Sequence, residues 1–160
     1  MNSPKPVHRV LFVCHGNICR STMAESVFAE LVRQAGRSDE FVIDSAATST
    51  EEIGNSPHYG TAAKLRQVGV PLVPHHARQV RASEYDNWDL IIGMDNANIR
   101  NLRRIFKHEP EAQADGCAKV IKLLSLAGSD RDVADPWYTG NFDVAYENVL
   151  AGCEALLKQL

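Results

Sequence analysis

Short apolar segments alternate with amphipathic segments along the whole chain. Apolar runs rich in β-branched residues predict strands at 8–14, 40–46, 88–95 and 118–124. Apolar residues spaced three and four apart predict helices at 21–36, 56–69 and 142–160. Because parallel strands need helical crossovers, the alternation predicts an α/β fold with an open, doubly wound sheet. We expect a single domain over residues 1–160, with a flexible start at 1–7.

Residues with capping preferences indicate where the helices begin. Thr22 and Glu25 have the spacing of a capping box for the first helix. Ser56 as the N-cap, with Pro57 at the first helical position, predicts the start of the second helix. Asp95 follows the third strand and is expected to begin a further helix.

Composition limits the classes of function. A net charge of -3 argues against a general nucleic-acid binder, because such proteins carry a basic surplus. The N-terminal apolar run is too short for a signal peptide or a membrane span, so we expect a cytoplasmic protein without a membrane partner. A monomer is the default expectation. In a reducing compartment the cysteines are expected to be free thiols, at Cys14, Cys19, Cys117 and Cys153.

The stretch CHGNICRS, residues 14–21, joins the first strand to the first helix. Ligands of doubly wound sheets bind at the carboxyl ends of the strands, which is where this stretch lies. Gly16 permits close backbone approach and a positive φ. Inward-turned N–H groups of residues 15–20 and the helix N-terminus can surround an anion, and Arg20 adds a planar fork for two phosphate oxygens. The stretch therefore predicts a phosphoryl pocket, with Cys14 beneath it as a thiolate nucleophile.

Other uses of the two cysteines fit the sequence less well. Zinc sites commonly pair two close clusters of Cys and His, but Cys14 and Cys19 have no second cysteine pair to match. The neighbours His75 and His76 point apart on a strand or helix, so no metal site is expected. Two alternatives stay open for Cys19: an inert thiol, or a partner for a reversible disulfide with Cys14.

Phosphoryl transfer from an alcohol or phenol needs an acid for the leaving oxygen. The stretch DVADPWYTGN, residues 132–141, offers Asp135 before Pro136, which keeps the acid in an extended conformation. Trp137 and Tyr138 follow and can form an aromatic wall for a flat substrate. Taken alone, the residues DPWY, 135–138, fit slightly better a turn whose aromatics fill the core.

These motifs resemble the low-molecular-weight protein tyrosine phosphatases. VLFVCHGNICRS, residues 10–21, is similar to that family's signature, and DPWY, residues 135–138, is similar to its acid loop. Segments at 44–49, 52–55, 76–79 and 93–95 resemble further family segments in the same order. The resemblance implies a four-stranded parallel sheet flanked by helices on both faces.

The resemblance also implies a two-step hydrolysis of phosphotyrosine proteins and small aryl phosphates that releases inorganic phosphate. Cys14 would form a phosphocysteine, and Asp135 would act as general acid and then base. Arg20 would bind the phosphoryl oxygens together with the loop amides of His15, Gly16, Asn17, Ile18 and Cys19. Ser21 would help to ionise Cys14, and a polar network of Asn17, Ser45 and His75 would brace the loop. Neither a metal nor an organic cofactor is implied.

Three positions depart from the family pattern. Thr22 stands where the family usually has proline, so the turn is expected to be less rigid. Glu51 stands near a cleft aromatic of many relatives, and it is either a solvated charge or a rim charge that favours basic substrate sequences. Ile18 stands where relatives that act on phosphoarginine have threonine, so it favours aryl phosphates.

Four rival functions remain weaker. An arsenate reductase on this fold needs further cysteines in the middle of the chain, and residues 76–100 contain none. A phosphoarginine phosphatase is disfavoured by Ile18. A phosphotyrosine-binding module would not need Cys14 and Asp135 together, and a redox protein would leave Arg20 and the acid loop without a role.

Overall fold

The computed structural model describes residues 7–160 of the chain. Four strands form one sheet: β1 (His8–Cys14), β2 (Phe41–Ala47), β3 (Leu90–Gly93) and β4 (Val120–Lys122). Their order is β2-β1-β3-β4, and every pairing is parallel. The expected α/β fold with an open parallel sheet is therefore confirmed. The expectation of a flexible start falls, apart from Val7, outside the described residues.

Helices cover both faces of the sheet. They are α1 (Arg20–Gln34), α2 (Tyr59–Val68), α3 (Asn96–Phe106), α4 (Pro110–Asp115), α5 (Pro136–Thr139) and α6 (Phe142–Gln159). Alternate residues of β1 enter different cores: Phe12 packs with α1 and α6, whereas Leu11 and Val13 pack with α3 and α4. Burial on both faces explains why β1 is a continuous apolar run. Within residues 7–160, no helix is long and apolar enough to cross a membrane.

The first helix begins differently from the prediction. α1 starts at Arg20 after Cys19, whose side chain makes no capping hydrogen bond. Thr22 lies inside the helix and donates from Oγ1 to the Cys19 carbonyl at 3.1 Å, while Glu25 turns inward to Ser45. The prediction of a capping box was therefore wrong, because the helix begins at Arg20 and both Thr22 and Glu25 lie inside it.

The second helix begins two residues later than predicted. His58, rather than Ser56, is the N-cap, and its Nδ1 accepts from the Gly60 N–H at 3.0 Å. The His58 N–H donates to the Ile18 carbonyl at 2.8 Å, which holds this segment extended against the loop after β1. The prediction for Asp95 is confirmed, since its Oδ1 caps α3 by accepting from the Asn98 N–H at 2.7 Å.

Candidate active site

Residues 15–19, which we call the anion loop, turn over the carboxyl end of β1. The turn depends on Asn17, whose φ of 59° is left-handed. Asparagine adopts this conformation more readily than most residues. The left-handed residue is therefore Asn17 rather than Gly16. At Gly16 the missing side chain leaves room for Glu52, whose Cγ would lie 3.3 Å from an added Cβ.

Cys14 ends β1 with its sulfur beneath the anion loop. Its Sγ lies 3.0 Å from Ser21 Oγ and 3.3 Å from the Asn17 backbone nitrogen. Both neighbours can donate a hydrogen bond to the sulfur. Asn17 Nδ2 donates to Ser21 Oγ at 2.8 Å, so Ser21 is an acceptor in this contact and its own proton is free to point at Cys14.

Arg20, the first residue of α1, is almost completely buried beside the loop. Its Nη1 donates to Asp95 Oδ2 at 2.8 Å and to the Val133 carbonyl at 3.2 Å. Its Nη2 lies 3.3 Å from Asp135 Oδ2. Burial opposes the charge of the guanidinium, but the neighbouring sulfur and carboxylates outweigh burial and raise the pKa of Arg20. The cation is therefore permanent and its fork is fixed in one plane.

A polar network braces the loop from the side of β2. Asn17 Nδ2 donates to Ser45 Oγ at 2.9 Å, and His75 Nε2 lies 2.6 Å from Asn17 Oδ1. Ser45 Oγ donates in turn to Glu25 Oε1 at 2.5 Å. Burial raises the pKa of Glu25 to about 7, despite the hydrogen bond from Ser45, and burial lowers the pKa of His75. Side chains from α1, from β2 and from the segment around His75 thus hold Asn17 in its left-handed turn.

Part of this network has the donor atoms of a metal site. Within residues 7–160, ligand atoms of Glu25, Asp44 and His75 lie within 4.8 Å of one another. Each already has a protein partner, and the guanidinium of Arg78 lies 3.1 Å from Asp44 Oδ2. A permanent cation at that distance disfavours a metal ion, so the cluster fits a hydrogen-bond network better than a metal site.

Asp135 reaches the pocket from the loop before α5. Its Oδ1 accepts from the Trp137 N–H at 3.1 Å, which leaves Oδ2 to face Arg20. Trp137 and Tyr138 are largely exposed at the rim. The pocket has a volume of about 260 Å³ and is lined by residues 14–16, 18–20, 51, 52, 95, 97, 98, 101, 135, 137 and 138. A thiol, a guanidinium and a carboxyl group therefore converge on one cavity.

Comparisons with known proteins agree with this arrangement. The sequence model of the low molecular weight phosphotyrosine protein phosphatases matches residues 9–160. The chain belongs to this family. It is 40% identical over 154 residues to the mouse low molecular weight phosphotyrosine protein phosphatase, covering 94% of each chain.

Two solved structures of similar proteins share the fold of this phosphatase. The crystal structure of YfkJ from Bacillus subtilis superposes with a TM-score of 0.89 at 39% identity, covering 98% of this chain and 96% of that one. The crystal structure of DARP, a drosophila arginine phosphatase, superposes with a TM-score of 0.84 at 30% identity, covering 94% and 96%. The recognition of the family from the sequence is confirmed.

The phosphatase pocket brings together most residues that the sequence predicted. Cys14, Arg20, Asp135 and the rim aromatics line it, as do His15, Gly16, Ile18, Cys19 and Glu51. The other four do not line the cavity: Asn17 belongs to the loop, and its side chain contacts Ser21, Ser45 and His75 behind it. Glu51 lies at the rim and is largely exposed, and its Oε2 lies 3.0 Å from His15 Nε2.

Cys19 differs from Cys14 in its surroundings. Burial, followed by the charges of Cys14 and Asp135, raises the pKa of Cys19 to about 12. The side chain is therefore a thiol at neutral pH. All four cysteines are free in this structure, as expected.

Sequence reasoning missed several residues of the site. Asp95 was assigned only as a helix start, although it also holds Arg20. Its place after β3, at the sheet edge where β1 ends, was the signal that could have found it. Glu52, Ala97, Asn98 and Asn101 line the pocket without any distinctive sequence pattern.

Proposed function

We propose that the protein hydrolyses phosphotyrosine and small aryl phosphates through a phosphocysteine on Cys14. The observation that carries the proposal is the convergence of the Cys14 sulfur, the Arg20 fork and the Asp135 carboxyl on one pocket. As a family member the chain is an enzyme, a protein-tyrosine phosphatase, and phosphoproteins are its substrates.

In the first step Cys14 Sγ attacks phosphorus, and the bond from phosphorus to the phenolic oxygen breaks. Asp135 gives its proton to the leaving phenolate. Arg20 and the inward N–H groups of the anion loop hold the equatorial phosphoryl oxygens. Because Asp95 and the Val133 carbonyl fix Nη1, the guanidinium does not need to reorient as charge develops.

In the second step water attacks phosphorus, Asp135 accepts its proton, and the bond from phosphorus to sulfur breaks. Cys14 leaves as a thiolate and inorganic phosphate is released. Ser21 Oγ at 3.0 Å and the Asn17 N–H at 3.3 Å can donate to the departing sulfur. These contacts favour a stable thiolate leaving group.

The walls of the pocket favour an aromatic substrate. Trp137 and Tyr138 offer exposed ring faces that can pack on a phenyl ring. Ile18 adds an apolar surface to the lining of the pocket. A phosphoguanidine would place polar N–H groups against Ile18 without a hydrogen-bond partner, which is costly; phosphoarginine is therefore the weaker candidate.

Turnover of matched phosphopeptides tests this proposal. We expect wild-type protein to hydrolyse phosphotyrosine peptides much faster than phosphoserine or phosphoarginine peptides. Cys14→Ser should abolish turnover and retain binding of the peptide. Asp135→Asn should slow hydrolysis most for poor leaving groups, because these depend most on protonation.

Two results would contradict the assignment. A preference for phosphoarginine would overturn the aryl-phosphate proposal. Equal rates for Asp135→Asn and wild type on a tyrosyl substrate would remove Asp135 from the role of general acid.

A further inference from the structure

The outer face of α3 carries a run of cations. Four exposed basic residues follow one another at helical spacing, and we call them the α3 stripe: Arg100, Arg103 and Arg104 in the helix and Lys107 as its C-cap. Leu102 and Phe106, on the opposite side of the helix, are buried against the sheet. Spacings of three and four place the stripe along one side of the helix.

The stripe has no anionic partner within the described part of the chain. None of its four side chains forms an ion pair there, whereas most other arginines, including Arg9, Arg33 and Arg78, do. The whole chain has a net charge of -3, so the local surplus is opposite in sign to the average. Four neighbouring unpaired cations repel one another, and an anion from outside would relieve that repulsion.

The stripe is continuous with the catalytic pocket. Asn101 of α3 lines the pocket, and Arg104, one turn further along, donates from Nη1 to Asn101 Oδ1 at 3.3 Å. A bound phosphoprotein that leaves the pocket on this side must therefore pass Arg104 and then the rest of the stripe.

The opposite side of the pocket has the opposite charge. Glu51 and Glu52 follow β2, whereas α3 follows β3, and β1 lies between these two strands. The acidic residues therefore lie across the anion loop from α3. This polarity would direct an acidic segment towards α3 and away from Glu51 and Glu52.

We propose that the α3 stripe docks an acidic segment next to the phosphotyrosine of a protein substrate. The proposal rests on the phosphotyrosine phosphatase activity proposed above. α3 rises about 1.5 Å per residue, so Lys107 lies about 9 Å beyond Asn101. An extended peptide spans about 3.3 Å per residue, so acids about two to four residues from the phosphotyrosine can reach the stripe.

Peptides of matched length test the docking surface. Each contains phosphotyrosine flanked by a run of glutamates, glutamines or lysines, on either the N-terminal or the C-terminal side. We expect glutamates on one side to raise kcat/KM about 5-fold over glutamines at low ionic strength, and we expect about 0.5 M salt to remove the gain.

Paired variants assign the effect to α3. The double variant Arg103→Gln, Arg104→Gln should lose the preference for glutamates and retain wild-type turnover of p-nitrophenyl phosphate. The control is Arg66→Gln with Lys158→Gln, which removes the same charge from exposed positions on α2 and α6. The control should keep the preference, because those helices pack with α1 on the other face of the sheet.

Several outcomes would overturn the proposal. Equal kcat/KM for glutamate and glutamine peptides on wild type would do so, as would an unchanged preference in the α3 double variant. Binding of wild type, but not of that variant, to phosphatidylserine vesicles without any peptide preference would assign the stripe to a lipid surface. Absence of p-nitrophenyl phosphate turnover in wild type would instead contradict the phosphatase activity itself.

Discussion

Asp95 illustrates how one carboxyl group can serve two elements. Oδ2 holds Arg20 at 2.8 Å, and Oδ1 caps α3 through the Asn98 N–H at 2.7 Å. Asp95→Asn separates these roles, because an asparagine that caps the helix turns its NH₂ group towards the guanidinium of Arg20. Hydrogen bonds to charged groups contribute about 1.5–3 kcal/mol. We therefore expect the free energy of unfolding to fall by about that amount, and kcat/KM for p-nitrophenyl phosphate to fall about 10-fold or more.

Asp95→Ala is the matched comparison for that prediction. It removes the cap as well, so it should lower the free energy of unfolding by about 1 kcal/mol more than Asp95→Asn does in urea titrations. Wild-type kcat/KM in Asp95→Asn would show that the Asp95 carboxylate does not position Arg20 for catalysis.

At the scale of the element, sequence patterns identified the strands and the long helices but not their ends. The apolar run 88–95 predicted a strand, yet β3 is only Leu90–Gly93. On one of its two sides, β3 pairs with the three-residue β4, and this pairing extends only from Ile91 to Gly93. Strand ends thus depend on a partner distant in sequence, which local periodicity does not contain. The shift of α2 to a His58 cap has the same origin, because the Ile18 carbonyl that holds His58 lies in another loop.

Gly152 sets how closely α6 approaches the turn after β4. A Cβ at this position would lie 2.3 Å from Cγ of the fully buried Leu123. In an exposed helix, Gly to Ala stabilises by about 1 kcal/mol, but overpacking a core costs about 1–3 kcal/mol. We expect Gly152→Ala to lower the free energy of unfolding measured in urea.

A second substitution distinguishes this clash from other effects. Leu123→Ala makes room for the added methyl group, so the double variant should be less destabilised than the sum of the two single changes. Stabilisation by Gly152→Ala alone, or strict additivity, would be inconsistent with close packing of α6 at Leu123.

At the scale of the whole molecule, the candidate active site joins residues that are far apart in sequence. Arg20 and Asp135 are separated by 115 positions, yet their side chains lie 3.3 Å apart. The motifs around Cys14 and Asp135 were recognisable because each is contiguous and chemically distinctive. The contacts of Glu25 and Asp95 were not, since they depend on the strand order β2-β1-β3-β4, which no local pattern specifies.

The buried network behind the anion loop makes the stability of the whole fold depend on pH. Burial raises the pKa of Glu25 from 4.5 to about 7, so between these values the folded protein holds a proton that the unfolded chain has released. The stability from this group is complete below about pH 4.5 and is lost as pH rises through about 7. We expect the free energy of unfolding of wild type to fall, relative to Glu25→Gln, by about 3 kcal/mol at most between pH 5 and pH 8.

Urea titrations of both proteins across this range measure the difference. Glutamine keeps an acceptor for Ser45 but cannot ionise, and His75, whose lowered pKa contributes with the opposite sign, is present in both proteins. The difference between the two curves therefore reports the titration of Glu25 together with its effect on His75, whose Nδ1 lies 3.6 Å from Glu25 Oε1. Parallel curves from pH 5 to pH 8 would mean that Glu25 has the same proton affinity in the folded and unfolded chains, and the burial of its carboxyl group would then not be coupled to folding.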